Sequence, residues 1–209
     1  MIDILYKDTS IIVCIKRAGE LSQAGKAGEN SLLTALEEQH GAPIYPVHRL
    51  DRETGGIMVY ARTKEAAAKL SDAVARHALE KEYLCIVRGA PQEETGEYRD
   101  LLLHDKQRNK TFVVNRMRGG VKEAILTYCV VERHEDTTLV RVKLQTGRTH
   151  QIRVQFSSRK MPLLGDGKYG GGKGELALWS CHLAFPHPSN GEWLSFEQLP
   201  SGGVWETTR

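Results

Sequence analysis

Short apolar runs separated by polar segments recur along the N-terminal part of the chain and predict β-strands. Ile2–Tyr6 and Ile11–Ile15 flank the polar segment Lys7–Ser10, which is typical of a turn between two strands. Farther along, the apolar run Ile57–Ala61 follows a pair of glycines and predicts a third strand. The chain is therefore expected to begin as a small sheet.

Two segments have the apolar spacing of helices. Between Ser31 and His40 three leucines recur at helical spacing, and either Asn30 or Ser31 can cap the start. Thr63–His77 is the clearer prediction, with Thr63 as the N-cap. Its apolar stripe is Ala67, Leu70, Ala73 and Val74.

The rest of the chain returns to strand patterns, with one ambiguous segment. The predicted strands are Lys81–Val87, Ala124–Glu132, Thr138–Gln145 and parts of Leu176–Pro200. The second and third of these predict a hairpin with a polar tip. Thr149–Lys160 is ambiguous; its apolar residues Ile152, Val154 and Phe156 alternate as in a strand.

Composition places the chain among folded globular proteins. It has 209 residues, of which 40% are hydrophobic and 26% charged, which suits one domain over residues 1–209. The net charge of +3 is compatible with a nucleic-acid partner but does not require one. The four cysteines are widely spaced, which favours buried reduced thiols over disulfides or zinc ligands. The start lacks a signal-peptide layout and no run reaches membrane-spanning length, so a cytoplasmic protein is expected.

The stretch from His48 to Gly56 carries the candidate chemistry. It reads His-Arg-Leu-Asp-Arg-Glu-Thr-Gly-Gly, with the carboxylate of Asp51 between Arg49 and Arg52. An acid among cations, on a turn between two extended segments, can stay ionised and can face a ligand. For a generic aspartate near arginines, a solvated surface ion pair is the commoner explanation.

Four motifs in order favour the catalytic explanation. Residues 48–56 resemble the first signature of the RluA-type pseudouridine synthases, His-Arg-Leu-Asp, two variable residues and Thr-Ser-Gly, with Gly55 in place of serine. Lys81-Glu82-Tyr83 matches the second signature, Lys-x-Tyr, and residues 146–154 match the third. Residues 162–170 match the segment that follows, and Lys16 with Gly19 match an early loop. The resemblance covers nearly the whole chain, and four matches in order are far more specific than one.

The resemblance implies an α+β pseudouridine synthase fold. That fold has a mixed, mostly antiparallel sheet with flanking helices and a central active-site cleft. It also implies a helix that begins near Gly147–His150. Family members often carry an additional N-terminal RNA-binding module, but this chain begins almost at once with predicted strands, so a catalytic domain alone is expected. The implied reaction is the isomerisation of uridine to pseudouridine in RNA, without cofactor or metal. The implied partner is a transfer or ribosomal RNA stem-loop, the expected state is a monomer, and no membrane is involved.

The resemblance also assigns roles to three residues. Asp51 attacks C1′ of the ribose or abstracts the C2′ proton to form a glycal, and these alternatives stay open. Tyr83 holds the uracil and can relay a proton. Arg153 pairs with Asp51 and keeps the carboxylate ionised and oriented, since a guanidinium does not lose its proton.

RNA contacts are expected from cations beside the site and from a basic stretch. The target base must leave its stack, and Arg49 is the candidate to fill the vacated space. Residues 104–122 hold six Lys or Arg residues against one acid. Composition alone explains this stretch equally well as a solvated loop. The predicted RNA-binding set is His48, Arg49, Arg52, Lys106, Arg108, Lys110, Arg116, Arg118, Arg148 and His150.

Rival functions fit the sequence less well. Residues 167–174 come close to a phosphate-binding P-loop, but Gly174 replaces the Ser or Thr that would touch magnesium. A zinc deaminase needs paired cysteines near a His-x-Glu, and a serine hydrolase needs Gly-x-Ser-x-Gly; both motifs are missing. The serious alternative is a non-catalytic RNA-binding or RNA-folding module on the same fold, which would not need the Asp51 carboxylate.

Overall fold

The computed structural model describes residues 2–25 and 28–206. Over those residues the chain forms eleven β-strands, three α-helices and one short 3-10 helix, so the α+β class is confirmed. No helix in this described part of the chain is long and apolar enough to cross a bilayer.

The chain packs as two compact units. One combines Met1–Lys81 with Ser180–Leu199, and the other combines Glu82–Trp179 with Pro200–Arg209. The single catalytic domain over residues 1–209 stays a prediction, and its ends, residue 1 and residues 207–209, lie outside the described residues.

The first unit is a sheet of mostly buried strands. Its strands lie in the order β1 (Ile4–Lys7), β2 (Ile11–Lys16), β4 (Gly55–Ala61) and β10 (Leu178–Pro186). A short strand, β3 (Tyr45–Pro46), pairs antiparallel with β4, and β11 (Trp193–Glu197) pairs antiparallel with β10. Every residue of β2 and β4 is buried, as expected for uninterrupted apolar strands at the centre of a sheet.

Both helices of the first unit begin at the predicted caps. Helix α1 (Leu32–His40) starts after Ser31, whose Oγ accepts a hydrogen bond from the Thr34 backbone N–H, and it ends at the left-handed Gly41. Helix α2 (Lys64–Ala75) starts after Thr63. The buried residues of α2 are Ala66, Leu70 and Ala73, while Ala67 and Val74 of the predicted stripe are half-buried. The predicted stripe was therefore rotated slightly away from the true buried face.

The second unit is an antiparallel sheet with one helix. Its strands lie in the order β5 (Glu80–Arg88), β9 (Thr137–Leu144), β8 (Val121–Arg133), β6 (Thr95–Asp105) and β7 (Lys110–Val114). The four pairings along this order are all antiparallel. The predicted hairpin is confirmed as β8 and β9, whereas β6 was not predicted.

The basic stretch 104–122 is part of this sheet. It contains the end of β6, the turn 106–109, all of β7 and the start of β8. We call β6, the turn and β7 the basic hairpin. Because Asp105 pairs with Lys110, the two strands are joined by a tight turn and the stretch is a hairpin. The role of its cations in RNA binding stays a prediction.

Helix α3 (Gln151–Ser158) packs on the basic hairpin and confirms the helix that the family resemblance implied. All six residues from Gln151 to Phe156 are buried. Val154 joins a hydrophobic cluster with Leu102 of β6, Ala124 of β8 and Tyr169. The helix is therefore buried on its polar as well as its apolar sides.

The cysteines and the C-terminal strands agree with the sequence patterns. The four cysteines, all within the described residues, are thiols without disulfides; Cys14, Cys85 and Cys181 are buried and Cys129 is half-buried. The strand-like tail forms the antiparallel pair β10 and β11.

Candidate active site

Asp51 lies on the loop between β3 and β4, within the first unit. It is half-buried, while the neighbouring Arg49, Arg52 and Glu53 are exposed. The backbone N–H of Thr54 donates to the Asp51 carbonyl at 3.0 Å and closes the turn before β4 begins at Gly55. The carboxylate is thus carried on a short, tightly turned loop.

Buried Lys16, at the end of β2, holds this loop. Its Nζ donates hydrogen bonds to the carbonyl oxygens of Thr54 at 2.7 Å, Arg17 at 2.9 Å and Arg52 at 3.0 Å. Gly19 and Arg52 add a further pair of bonds, because the Gly19 N–H donates to the Arg52 carbonyl and the side-chain Nε of Arg52 donates back to the Gly19 carbonyl. Two of the carbonyls on the Asp51 loop therefore share one ammonium.

Ser22 holds the other end of the loop. Its Oγ accepts from the Leu50 N–H at 3.1 Å and donates to the Leu50 carbonyl at 2.9 Å. The Tyr60 hydroxyl of β4 donates to the Ser22 carbonyl at 2.7 Å. Asp51 is consequently flanked by anchored residues on both sides, and its backbone is held in one conformation by buried hydrogen bonds.

Gly56 and His48 complete the packing around the loop. Gly56 has a φ of +120°, and a Cβ there would lie 2.3 Å from the Ser180 carbonyl oxygen, so only glycine fits. His48 Nε2 accepts a hydrogen bond from the Val59 N–H, and burial lowers the pKa of this imidazole to about 3, assisted by Lys81. His48 is therefore neutral and serves the loop packing.

Arg153 of α3 forms a buried ion pair within the second unit. Its Nε and Nη2 donate to the two carboxylate oxygens of Asp166 at 2.7 and 2.8 Å. The side chains of the pair are 3% and 0% exposed. Asp166 Oδ1 also accepts from the backbone N–H groups of Lys168 and Tyr169 at 3.2 Å. The two-point contact sets the plane of the Arg153 guanidinium.

Tyr83 is a buried residue of β5 in the same unit, opposite Val142 of β9. The structure therefore carries Asp51 in the first unit and Tyr83 and Arg153 in the second. The pairing of Arg153 with Asp51 stays a prediction. The partner that the second unit gives to Arg153 is Asp166, which was not predicted as a site residue.

Comparison with known proteins identifies the family to which the chain belongs. The family model described as RNA pseudouridylate synthase matches residues 10–158, which include Asp51, Tyr83 and Arg153. The chain belongs to the RNA pseudouridylate synthase family. Family membership implies an isomerase that acts on RNA.

Individual relatives agree with this assignment. The chain is 36% identical to an uncharacterized RNA pseudouridine synthase of Aquifex aeolicus, over 94% of this chain and 68% of the relative. It is 32% identical to the dual-specificity RNA pseudouridine synthase RluA of Pasteurella multocida, over 96% of this chain and 94% of the relative. The structure of human RNA pseudouridylate synthase domain containing 4 has the same fold, with a TM-score of 0.79 and 24% identity, over 95% and 88% of the two chains.

The predicted RNA-contact residues of this family member fall into two groups. Six are exposed cations: Arg49, Arg52, Lys106, Arg108, Arg116 and Arg118. The other four contact other groups of the protein. Besides His48, they are Arg148, which donates to the Glu123 carbonyl, Lys110, which lies over the Phe112 and Tyr169 rings, and His150, which bonds Tyr169.

Lys16, Ser22 and Asp166 were not predicted as site residues. Lys16 and Asp166 lie in segments that match the family motifs, which was the one signal in the sequence. Their partners are backbone carbonyls and a distant arginine, however, and spacing along the chain does not indicate such contacts.

The buried ammonium of Lys16 makes the stability of the loop depend on pH. Burial lowers its pKa from 10.5 to about 8, against opposing contributions from Glu20 and Asp51. Between these values the unfolded chain binds more protons than the folded chain, so the free energy of unfolding should rise with pH. Urea unfolding at pH 7 and pH 10 should show wild type gaining about 2 kcal/mol relative to Lys16→Met.

Exposed Lys64 supplies the control for this measurement. The difference between wild type and Lys64→Met should stay constant over the same pH range. A constant difference for Lys16→Met as well would show that Lys16 has an ordinary pKa.

Proposed function

We propose that this synthase isomerises uridines in structured ribosomal or transfer RNA, with Asp51, Tyr83 and Arg153 as catalytic residues. The observation that carries the proposal is the anchored loop of Asp51. A half-buried carboxylate is held between Ser22 on one side and Lys16 on the other, inside the segment that matches the family. Fixed placement of a reacting group is a major source of catalysis.

Asp51 supplies the oxygen that acts on the ribose. In one route it attacks C1′, the N1–C1′ bond breaks, and its electron pair leaves with the uracil. The base then turns, C5 attacks C1′ as the bond to Asp51 breaks, and the C5 proton is lost while N1 gains one. In the other route Asp51 removes the C2′ proton as the N1–C1′ bond breaks, which gives a glycal and free uracil. C5 then adds to C1′ while Asp51 returns the proton to C2′, the C5 proton is lost and N1 gains one.

Tyr83 acts on the uracil base, and Arg153 supplies positive charge. The flat ring of Tyr83 can stack on the uracil, and its hydroxyl can accept the C5 proton. Arg153 supplies a permanent positive charge, and its guanidinium plane is already set by Asp166. Both residues lie on regular elements of the second unit, which keeps them in place.

Pseudouridine mapping tests the activity directly. Ribosomal and transfer RNA from cells that lack this protein should lose pseudouridine at a few positions, and re-expression of wild type should restore them. An unchanged map would overturn the proposal. Transfer RNA sites and ribosomal sites are scored separately, which identifies the substrate class. We place this activity in the cytoplasm and in a monomer.

In this proposal the basic hairpin and the segment that follows it bind the phosphates of the RNA. Lys106 and Arg108 lie at the hairpin turn, and Arg116 and Arg118 lie on the segment between β7 and β8. All four are exposed, so each can reach a phosphate. Arg49 is exposed two residues before Asp51 and fits the role of stacking on bases beside the extruded nucleotide.

Replacing Lys106, Arg108, Arg116 and Arg118 with alanine should reduce the salt dependence of RNA binding. Each phosphate contact contributes about 0.7–0.9 to the slope of log K against log salt, so the fourfold alanine variant should lose about 3 units of slope. Filter binding over a series of KCl concentrations measures the slope.

The matched control removes exposed cations from α2 and the residue after it. Lys64→Ala with Arg76→Ala lowers the net charge without touching the hairpin. If this control lost slope in proportion to its two charges, the hairpin would hold no special contact with RNA.

A further inference from the structure

The turn Asp166–Tyr169 contacts both Arg153 and the basic hairpin. We propose that Tyr169 is a positioning residue that fixes the hairpin relative to Arg153, so that hairpin-bound RNA presents its target nucleotide to the guanidinium in one orientation. This inference rests on the proposed function, and it gives a role to a residue of the matched segment 162–170 to which the motifs assign none. All of its parts lie in the second unit.

On one side, Tyr169 is tied to α3 and to the ion pair. Its backbone N–H donates to Asp166 Oδ1, and its carbonyl accepts from Ser157 Oγ of α3 at 2.7 Å. The Arg153 guanidinium carbon lies 5.3 Å from the centre of the Tyr169 ring, within the range of a cation–π contact. The position of the ring is thus set by the same elements that orient Arg153.

On the other side, the same turn holds the hairpin. The Tyr169 hydroxyl accepts a hydrogen bond from the Thr111 backbone N–H at 2.8 Å, at the start of β7. Lys168 Nζ donates to the carbonyl of Asn109, the left-handed residue of the hairpin turn, at 2.9 Å. Two adjacent residues therefore fasten the hairpin immediately beside Lys106 and Arg108.

The hydroxyl contact is buried. Tyr169, Thr111 and His150 are 7%, 1% and 6% exposed, and the Tyr169 hydroxyl lies 2.9 Å from His150 Nδ1. Burial raises the pKa of the Tyr169 phenol, so it stays a neutral hydroxyl at physiological pH. Thr111 Oγ1 in turn donates to the Thr149 carbonyl, just before α3. Removing the phenol oxygen leaves the Thr111 N–H without that acceptor.

The functional consequence is a loss of turnover without a loss of affinity. Tyr169→Phe keeps every cation, so phosphates should bind with a Kd within about 3-fold of wild type. The hairpin is no longer fastened to Arg153, however, and a displacement of about 1 Å can cost up to ~10²-fold in rate. We expect the single-turnover rate to fall at least 10-fold.

The experiment uses RNA from cells that lack this protein, labelled with tritium at uridine C5. Isomerisation releases the tritium to water, and filter binding to the same RNA gives Kd. Tyr169→Phe is compared with Tyr128→Phe, which changes another buried tyrosine of the same unit that packs against Tyr98 and Phe156. Tyr128→Phe should keep the wild-type rate, and an equal loss in both variants would overturn the inference.

A second background tests the coupling to the hairpin. In a Lys106→Ala/Arg108→Ala protein the hairpin turn no longer grips RNA, so adding Tyr169→Phe should lower the rate less than about 3-fold further. The same 10-fold loss in both backgrounds would show that Tyr169 acts without the hairpin. Lys168→Met removes the second contact with the hairpin, the hydrogen bond from Lys168 Nζ to the Asn109 carbonyl. In the otherwise native protein it should lower the rate by less than Tyr169→Phe does.

Hydrogen exchange separates failure of this inference from failure of the proposed function. Tyr169→Phe should accelerate amide exchange in residues 110–114 relative to Tyr128→Phe, whether or not the protein turns over. Unchanged exchange there would overturn the fastening of the hairpin. A native protein that released no tritium would instead contradict the proposed function.

Discussion

Replacing Asp51 with asparagine is expected to abolish pseudouridine formation while leaving RNA binding intact. The amide is close in size to the carboxylate, and the loop is anchored through Lys16 and Ser22. An amide oxygen can neither form the ester with C1′ nor take the C2′ proton, so both routes stop. Loss of a catalytic nucleophile or base costs about 10³-fold or more, measured here as the single-turnover rate of tritium release.

The Asp51 variant also decides between an enzyme and a binding module. Asp72→Asn on α2 changes an exposed carboxylate of the same unit and should retain the wild-type rate. Filter binding should give the same Kd for both variants. If Asp51→Asn produced the native pseudouridine map, Asp51 would not be the catalytic carboxylate. If neither wild type nor variant produced any pseudouridine yet both bound RNA, the chain would be a binding module.

Replacing Arg153 with methionine is expected to lower the free energy of unfolding by about 3–5 kcal/mol. The partner carboxylate of Asp166 is fully buried, and it would be left without the guanidinium that contacts both of its oxygens. The remaining N–H donors, from Lys168 and Tyr169, are each at 3.2 Å and compensate only in part. Urea unfolding of wild type and variant measures the loss.

A double variant separates the structural role of Arg153 from its catalytic role. Arg153→Met combined with Asp166→Leu removes both charges, and replacing a buried ion pair by apolar residues is often neutral for stability. The double variant should therefore recover most of the stability but none of the activity. Arg133→Met, which breaks an exposed pair with Glu94, should cost at most about 1 kcal/mol. Full activity in a stable double variant would show that Arg153 is only structural.

The site was predictable from the sequence to a limited depth. Asp51, Tyr83 and Arg153 lie in short motifs whose order and spacing identify the family, and the family match covers all three. The residues that hold them were not predictable in this way. Lys16 contacts backbone carbonyls of residues 52 and 54, and any sequence that kept the loop would offer those same carbonyls. Asp166 finds Arg153 across a turn whose geometry depends on glycines 165 and 171, where a Cβ would meet backbone atoms.

The sequence by itself determined the elements whose stability is local. Ser31 and Thr63 begin α1 and α2 because their hydroxyls accept hydrogen bonds within the next turn, and the apolar runs of β2 and β4 predicted strands. Only the tertiary structure decided that residues 151–158 form a helix, α3, and not a strand. Its residues alternate as in a strand, yet Gln151, Arg153 and Gln155 are buried as well, because Ile125, Asp166 and Tyr98 supply their hydrogen-bond partners. Apolar periodicity predicts an element when its buried side chains are apolar. The prediction fails where buried polar side chains find hydrogen-bond partners in distant parts of the chain.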